Sequence, residues 1–225
     1  MKLLAVDTAL GACSAAILDG EHVLSHRLEV MERGHAERLA PMVQEAMQEA
    51  GLAFDALDRL AVTVGPGTFT GQRVGYAFMR GLRLALSRPL IGVTTLAAMA
   101  RAARAETGAE SAAVLHDAKR DEVYAMAVAG DETRLTEQLL RFDAAIEAII
   151  AKIALSDGEI ALAGTAAARA AESLRLRGVD ARATNIAAPD ALWVGRIAFA
   201  APVPDSVPPP LYLRPPDARL PSQVP

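Results

Sequence analysis

The chain has 225 residues, 52% hydrophobic and 22% charged, enough apolar content to fold and enough length for one large domain or two small ones. A formal charge of −4 and an aromatic content of 4% exclude a surface that, taken as a whole, draws in nucleic acid or stacks bases. One cysteine, Cys13, excludes an internal disulfide and fits a reducing compartment, where it reads as a small buried hydrophobe.

The apolar run of "MKLLAVD" is too short for a secretory leader, and no stretch approaches the ~20 residues of a membrane helix, so a cytoplasmic location is expected. Residues 3–6 and 13–18 read as buried strands separated by the turn-prone "DTALGA". "DGE" then turns the chain into "HVLSHRLEV", whose alternation predicts a third strand. Over residues 34–50 the period changes: Leu39, Val43, Ala46, Met47 and Ala50 recur at helical spacing, with Gly51 as the stop. A strand in "DRLAVTV", a helix over 71–86, a strand in "LIGV" and a helix over 95–104 complete a first α/β layer with a mixed sheet.

The pattern then restarts. Strands are expected at 112–116, 122–129, 134–140 and 159–163, with helices over 143–154, 165–176 and 190–201. The similar order of the halves points to two related lobes, 1–105 and 106–213, and a proline-rich tail over 214–225.

"GPGTFTGQRVG", residues 65–75, joins a strand to a helix. It lacks the Gly-Lys-Ser/Thr of a P-loop and the spacing of a dinucleotide fingerprint. Its place before a helix whose expected N-cap is Thr70 still suits an anion, so Gly65, Gly67 and Thr68 are candidate nucleotide contacts. Gly71, Gly75 and Gly81 each weaken the helix by roughly 1 kcal/mol, which suggests close backbone approach, either inside the domain or against a partner.

His22 and His26 lie on a predicted strand, where four residues span about 13 Å, too far to share one metal ion. Asp7 ends the first strand, and Asp117 and Lys119 follow a strand of the second half; each suits either a cleft or a turn.

Taken in order, "LLAVDTALGACSAAIL", "GHAERLAPMV", "VGPGTFTGQRVG", "RGLRLAL", "PLIGVTTLAAMA", "DAKRDEVYAM" and "PPLYLR" resemble the bacterial TsaB (YeaZ) family from residue 1 to about 214. The resemblance implies two ribonuclease-H-like lobes of the actin, Hsp70 and sugar-kinase (ASKHA) type. It implies a non-catalytic, activating subunit in synthesis of threonylcarbamoyladenosine beside the tRNA anticodon. That subunit docks on the TsaD transferase, is joined by the TsaE ATPase, meets tRNA only through its partners and pairs with itself when alone. No cofactor is required under this reading, although the loop leaves a weak ATP or ADP site open. The catalytic paralogue carries a helical His-x-x-x-His metal pair where this chain has Thr95 and Met99, and Asp190 is the acid nearest the paralogue's remaining ligand. Imidazole is what such a site needs, so no metal is expected. The family's docking helices place Leu39, Met42, Val43 and Ala46, with Gly71, Val74, Gly75, Phe78 and Leu82, at the partner interface. The alternative is a stand-alone ATPase or kinase of the same fold, using Asp7 and Asp117 around magnesium.

Overall fold

A computed structural model describes residues 1–153 and 158–214. β1 (Lys2–Asp7), β2 (Ala12–Asp19) and β3 (His22–Val30) form an antiparallel meander. β1 and β2 are buried almost throughout, whereas the edge strand β3 is largely exposed, with only Ser25 buried. α1 (His35–Glu49) leads to β4 (Arg59–Thr63), parallel to β1, and α2 (Phe69–Leu86) leads to β5 (Leu90–Val93), parallel to β4. The sheet order is β3-β2-β1-β4-β5.

After α3 (Thr95–Thr107) the second half repeats this plan. β6 (Ser111–Asp117), β7 (Glu122–Ala129) and β8 (Glu132–Arg141) make a second meander. α4 (Phe142–Ile153), β9 (Ile160–Ala163), α5 (Ala167–Arg175) and β10 (Ala181–Ala183) follow, with α6 (Ala191–Ala200) last. The order β10-β9-β6-β7-β8 is the first sheet's order again, element for element. Two ribonuclease-H-like lobes of the ASKHA type are therefore present. Sequence periodicity misses β10, whose three residues are too few to show alternation. The expected helix end at position 154 lies outside the described residues, as does the tail beyond 214.

The lobe boundary needs correcting, because the lobes exchange helices. Leu96, Met99, Ala100 and Ala103 of α3 are buried against Ala112, Val114, Met126 and Ala161 of the second sheet. Conversely, Ala191, Val194 and Ala198 of α6 are buried against Leu3, Ala5, Leu18 and Ile91 of the first. Both ends of α6 are tied to that sheet. Ser14 Oγ accepts the Ala191 N–H at 2.9 Å, and Arg59 donates to the carbonyls of Ala198 and Ala201 at 2.7 and 2.8 Å. A division at 105/106 assigns α3 and α6 each to the lobe it does not cover. The spacing of apolar residues shows that a helix has a buried face, not which sheet lies beneath it.

Candidate functional site

The glycine loop is filled by the chain itself. Thr68, not Thr70, caps α2: its Oγ1 accepts the Gly71 N–H at 3.1 Å, so the helix starts at Phe69. The Thr68 N–H donates to Ala9 O at 2.9 Å, and the Gly65 carbonyl accepts from Thr95 N–H at 2.9 Å. A Cβ at Gly67 would strike the Ala9 carbonyl, and one at Gly71 the Thr8 carbonyl. Thr8 enters the helix ladder: its hydroxyl donates to Gly71 O at 2.7 Å and accepts from Gly75 N–H at 2.9 Å. The glycines thus admit the β1–β2 turn against the first turns of α2.

Residues 202–214 run back over this loop as a strap. Leu211 N–H donates to Val64 O at 2.7 Å, Gln72 donates to the carbonyls of Val64 and Leu211, and the Tyr76 hydroxyl donates to Pro208 O at 2.7 Å. Arg214 ends the strap on the other lobe, donating to Ala118 O and Glu122 Oε2, both at 2.6 Å. The Gln72 side chain and the Leu211 carbonyl therefore fill the space beside Gly65. Gly65 is buried, Gly67 half-buried and Thr68 exposed.

α1 and α2 lie side by side on one face of the first sheet, and the residues assigned to the partner interface divide into two groups. Leu39, Met42, Val43 and Ala46 are at most 1% exposed and belong to the lobe's own core, a correction to the sequence reading. Gly71 and Gly75 are buried against Thr8. Val74, Phe78 and Leu82 are half-buried at the edge of that core. Helical spacing identified the apolar face of α1 but could not tell inward from outward. The surface of the pair is instead Ala36, Ala40, Pro41 and Gln44 on α1 with Ala77, Gly81 and Leu84 on α2, all exposed. Leu84 is 73% exposed. The flank of α1 toward β3 is closed by charge: Arg38 bridges Glu29 at 2.6 Å and Glu45 at 2.9 Å, and Arg27 reaches Glu49 at 3.1 Å. These guanidinium contacts hold the Glu29 and Glu45 carboxyls below their usual range.

The candidate acids sit in different environments. Asp7 is fully buried; Oδ1 accepts from the Thr63 hydroxyl at 2.5 Å and from Ala9 N–H at 3.1 Å, and Oδ2 has no partner among the described residues. Burial pushes its pKa up to about 7, against the opposing pull of Thr63. Asp117 is exposed on the second lobe. Between the lobes lies a cavity of about 780 Å³ lined by residues that include Ala12, His116, Asn185 and Trp193, but neither aspartate lines it. Lys119 sits on the exposed hairpin turn with Asp117.

A metal of the paralogue's kind does not fit here. Thr95 and Met99 are both fully buried, Met99 in apolar contact with the second sheet. Asp190 Oδ1 is committed to capping α6 through Leu192 N–H at 2.8 Å and to His26 Nε2 at 2.7 Å. That pairing raises the His26 pKa. Among the described residues no group of three or more His, Cys, Asp or Glu side chains could hold a metal ion. His22 is exposed at the start of β3, where it reaches no common ion with His26. No helix in the described residues is long and apolar enough to cross a membrane.

Comparison with known proteins adds a family. The model of the TsaD family, tRNA N6-adenosine threonylcarbamoyltransferase, matches residues 25–189. The tRNA threonylcarbamoyladenosine biosynthesis protein TsaB of Escherichia coli (strain K12) is 40% identical over 124 residues, 55% of this chain and 53% of that protein. The chain spans about half the length of the curated relatives it matches. Among solved structures, YeaZ from Pseudomonas aeruginosa is 34% identical with a TM-score of 0.69, covering 88% of this chain and 91% of that one. An uncharacterized protein with similarity to peptidase YEAZ, also from Pseudomonas aeruginosa, is 32% identical with a TM-score of 0.75, covering 95% and 99%.

Proposed function

The chain belongs to the TsaD family, on the branch that contains TsaB and YeaZ, and from that premise we propose that it is the non-catalytic, activating subunit of a tRNA threonylcarbamoyladenosine synthesis complex. It docks on a TsaD-type transferase through the outward face of the α1–α2 pair. The observation that carries this reading is that face. Its small exposed residues Ala36, Ala40, Ala77 and Gly81 let another helix pair approach closely, and Leu84 offers apolar area to bury. Half-buried Val74, Phe78 and Leu82 form the floor between the helices. The same face suits a second copy of the chain when the transferase is absent.

Lack of catalysis by this chain is supported by chemistry. Thr95 and Met99 supply no imidazole, Asp7 is fully buried while Asp117 is exposed, and the glycine loop bonds to the β1–β2 turn and lies under the strap. The stand-alone ATPase reading needs both aspartates around one magnesium ion, which the full burial of Asp7 opposes. A TsaE-type ATPase joins through the complex, and no cofactor of the chain's own is required.

Reconstitution tests the reading. Threonylcarbamoyl transfer to tRNA is measured with the transferase and the other pathway proteins, with and without this chain, beside ATP hydrolysis by the chain alone. Strict dependence with negligible hydrolysis is expected; full transfer without the chain overturns the proposal. Ala40→Glu combined with Ala77→Glu, both at exposed positions, should keep the fold and abolish co-elution with the transferase. Normal co-elution would place the interface elsewhere.

A further inference from the structure

The strap runs antiparallel to α2 and leaves a groove beside it. Tyr212 lies by Arg73, Pro208 by Tyr76, and Val203, Pro204 and Ser206 line a cavity of about 390 Å³ with Arg83, Ser87 and Arg88. In a chain of net charge −4, α2 carries Arg73, Arg80 and Arg83 and no acidic residue, and Arg88 follows two residues after its end. Spacing puts all four toward the strap: Arg73 stacks 3.5 Å over the Phe69 ring with its Nε 3.4 Å from the Tyr212 hydroxyl, and Arg80 leans over the Tyr76 ring at 5.7 Å. None of the four forms an ion pair among the described residues, in contrast to Arg27 and Arg38 on the opposite side of α1. Arg88 spends one N–H on Asp55 O at 3.0 Å, while its buried Nε has no partner among the described residues. Asp205 is the one carboxylate in residues 202–214. Phe69 is 57% and Tyr212 47% exposed, with ring centroids 6.4 Å apart and the Arg73 guanidinium beside them.

Four unpaired guanidinium groups spread over about 22 Å of helix and turn, with two exposed rings at one end, match one kind of ligand. A single free phosphate would need the charges gathered at a point, and an apolar partner would not need them. A polyanion with flat faces uses both features. We propose that the groove between α2 and the strap binds a strand of RNA, its phosphates on Arg73, Arg80, Arg83 and Arg88 and an unstacked base against Phe69 and Tyr212. That the strand is RNA, specifically the tRNA being modified, rests on the proposed function; the polyanion chemistry stands on the groove alone. Leu84 of the small-residue seam used for docking also lines this cavity, so the two surfaces adjoin along α2. Contact with tRNA is then direct, which departs from the expectation drawn from composition: an overall negative charge conceals a local basic stripe.

The test is fluorescence anisotropy of a labelled tRNA anticodon stem–loop titrated with the full chain, free and bound to the transferase, between about 50 and 200 mM salt. Arg83→Gln with Arg88→Gln should weaken binding and lower the slope of log K against log salt by about 1.4, the share of two single-strand phosphate contacts. Phe69→Ala with Tyr212→Ala should weaken binding at least about fivefold and leave the slope in place. Co-elution with the transferase is measured on every variant, and Arg73→Gln with Arg80→Gln replaces the first pair if thermal melting shows that pair unfolded. Affinity and slope unchanged in folded variants overturn the proposal. So does loss of co-elution with RNA binding intact, which would assign the stripe to an acidic protein surface. Failure of the wild-type chain to co-elute would instead sink the docking reading, and the RNA titration of the free chain would still decide this one.

Discussion

Each lobe makes the same first hairpin turn out of different residues. Asp7 and Asp117 both end the lobe's first strand, and each accepts the N–H two residues on, from Ala9 at 3.1 Å and Lys119 at 2.8 Å. In the first lobe Thr8, Ala9 and Leu10 are buried. In the second, Lys119, Arg120 and Asp121 are exposed, and all three have positive φ. The helix opposite explains the contrast. α2 and the loop before it present Gly67, Gly71 and Gly75 to the first turn, so the backbones touch and the turn must be small and apolar. α5 has nine residues and begins at Ala167, and the turn above it stays in water, where charged residues cost little. A duplicated frame thus gives one lobe a sealed joint and the other an open, charged hairpin.

The largest break in that contrast is Gly71→Ala. Its Cβ meets backbone that cannot yield, and a loss of about 3 kcal/mol in urea unfolding is expected. Gly81→Ala on the same helix has nothing within 4 Å of the new Cβ and should gain about 0.5–1 kcal/mol. If both behave alike, close packing of the turn on α2 is wrong.

Asp7 gives the next effect, through pH. Its carboxyl releases its proton near 3.8 in the unfolded chain but near 7 in the fold. Between those values the native state holds a proton that the unfolded state has lost, so stability falls as pH rises. The expected loss is about 2 kcal/mol from about pH 5 to 7. Asp7→Asn should flatten that dependence, whereas Asp117→Asn in the open turn should change stability by less than about 0.5 kcal/mol. A profile for the parent chain that is flat or rises over this range contradicts the buried, protonated state.

In the open turn, Lys119→Gly relieves one left-handed residue and should stabilise by about 1 kcal/mol, read from the shift in urea midpoint. The smallest effect is at His26. Pairing with Asp190 raises its pKa, so its stabilisation is full below about 6.5 and fades as pH rises through the higher folded value. His26→Ala should cost at most about 1 kcal/mol at pH 6 and less at pH 8.5, since the pair is partly exposed.

The alternation of β3 and the helical spacing of Leu39, Val43 and Ala46 were legible because side-chain period reports local geometry. The same spacing did not show which way the apolar face of α1 points. Leu39 and Val43 are apolar because they face the sheet, while the residues that face outward, Ala36, Ala40, Ala77 and Gly81, are too small to register as hydrophobic signal. The strap escaped the sequence, since no local pattern shows that Leu211 pairs with Val64 far away in the chain. Thr8 bridging Gly71 and Gly75 escaped for the same reason, although the glycine spacing in α2 did announce a close approach.

The exchange of α3 and α6 between the sheets has a consequence for how the chain is made. Leu3, Ala5 and Leu18 emerge from the ribosome early, yet the helix that covers them is residues 191–200. At cellular synthesis rates the gap between finishing β5 and finishing α6 is roughly 5–20 s. Throughout that interval the first sheet has one face closed by α1 and α2 and the other open to water or to whatever shields nascent apolar surface. The two halves cannot mature in sequence like beads. The first half waits for the last helix of the second, and a chain stopped before position 191 would expose that unclosed face.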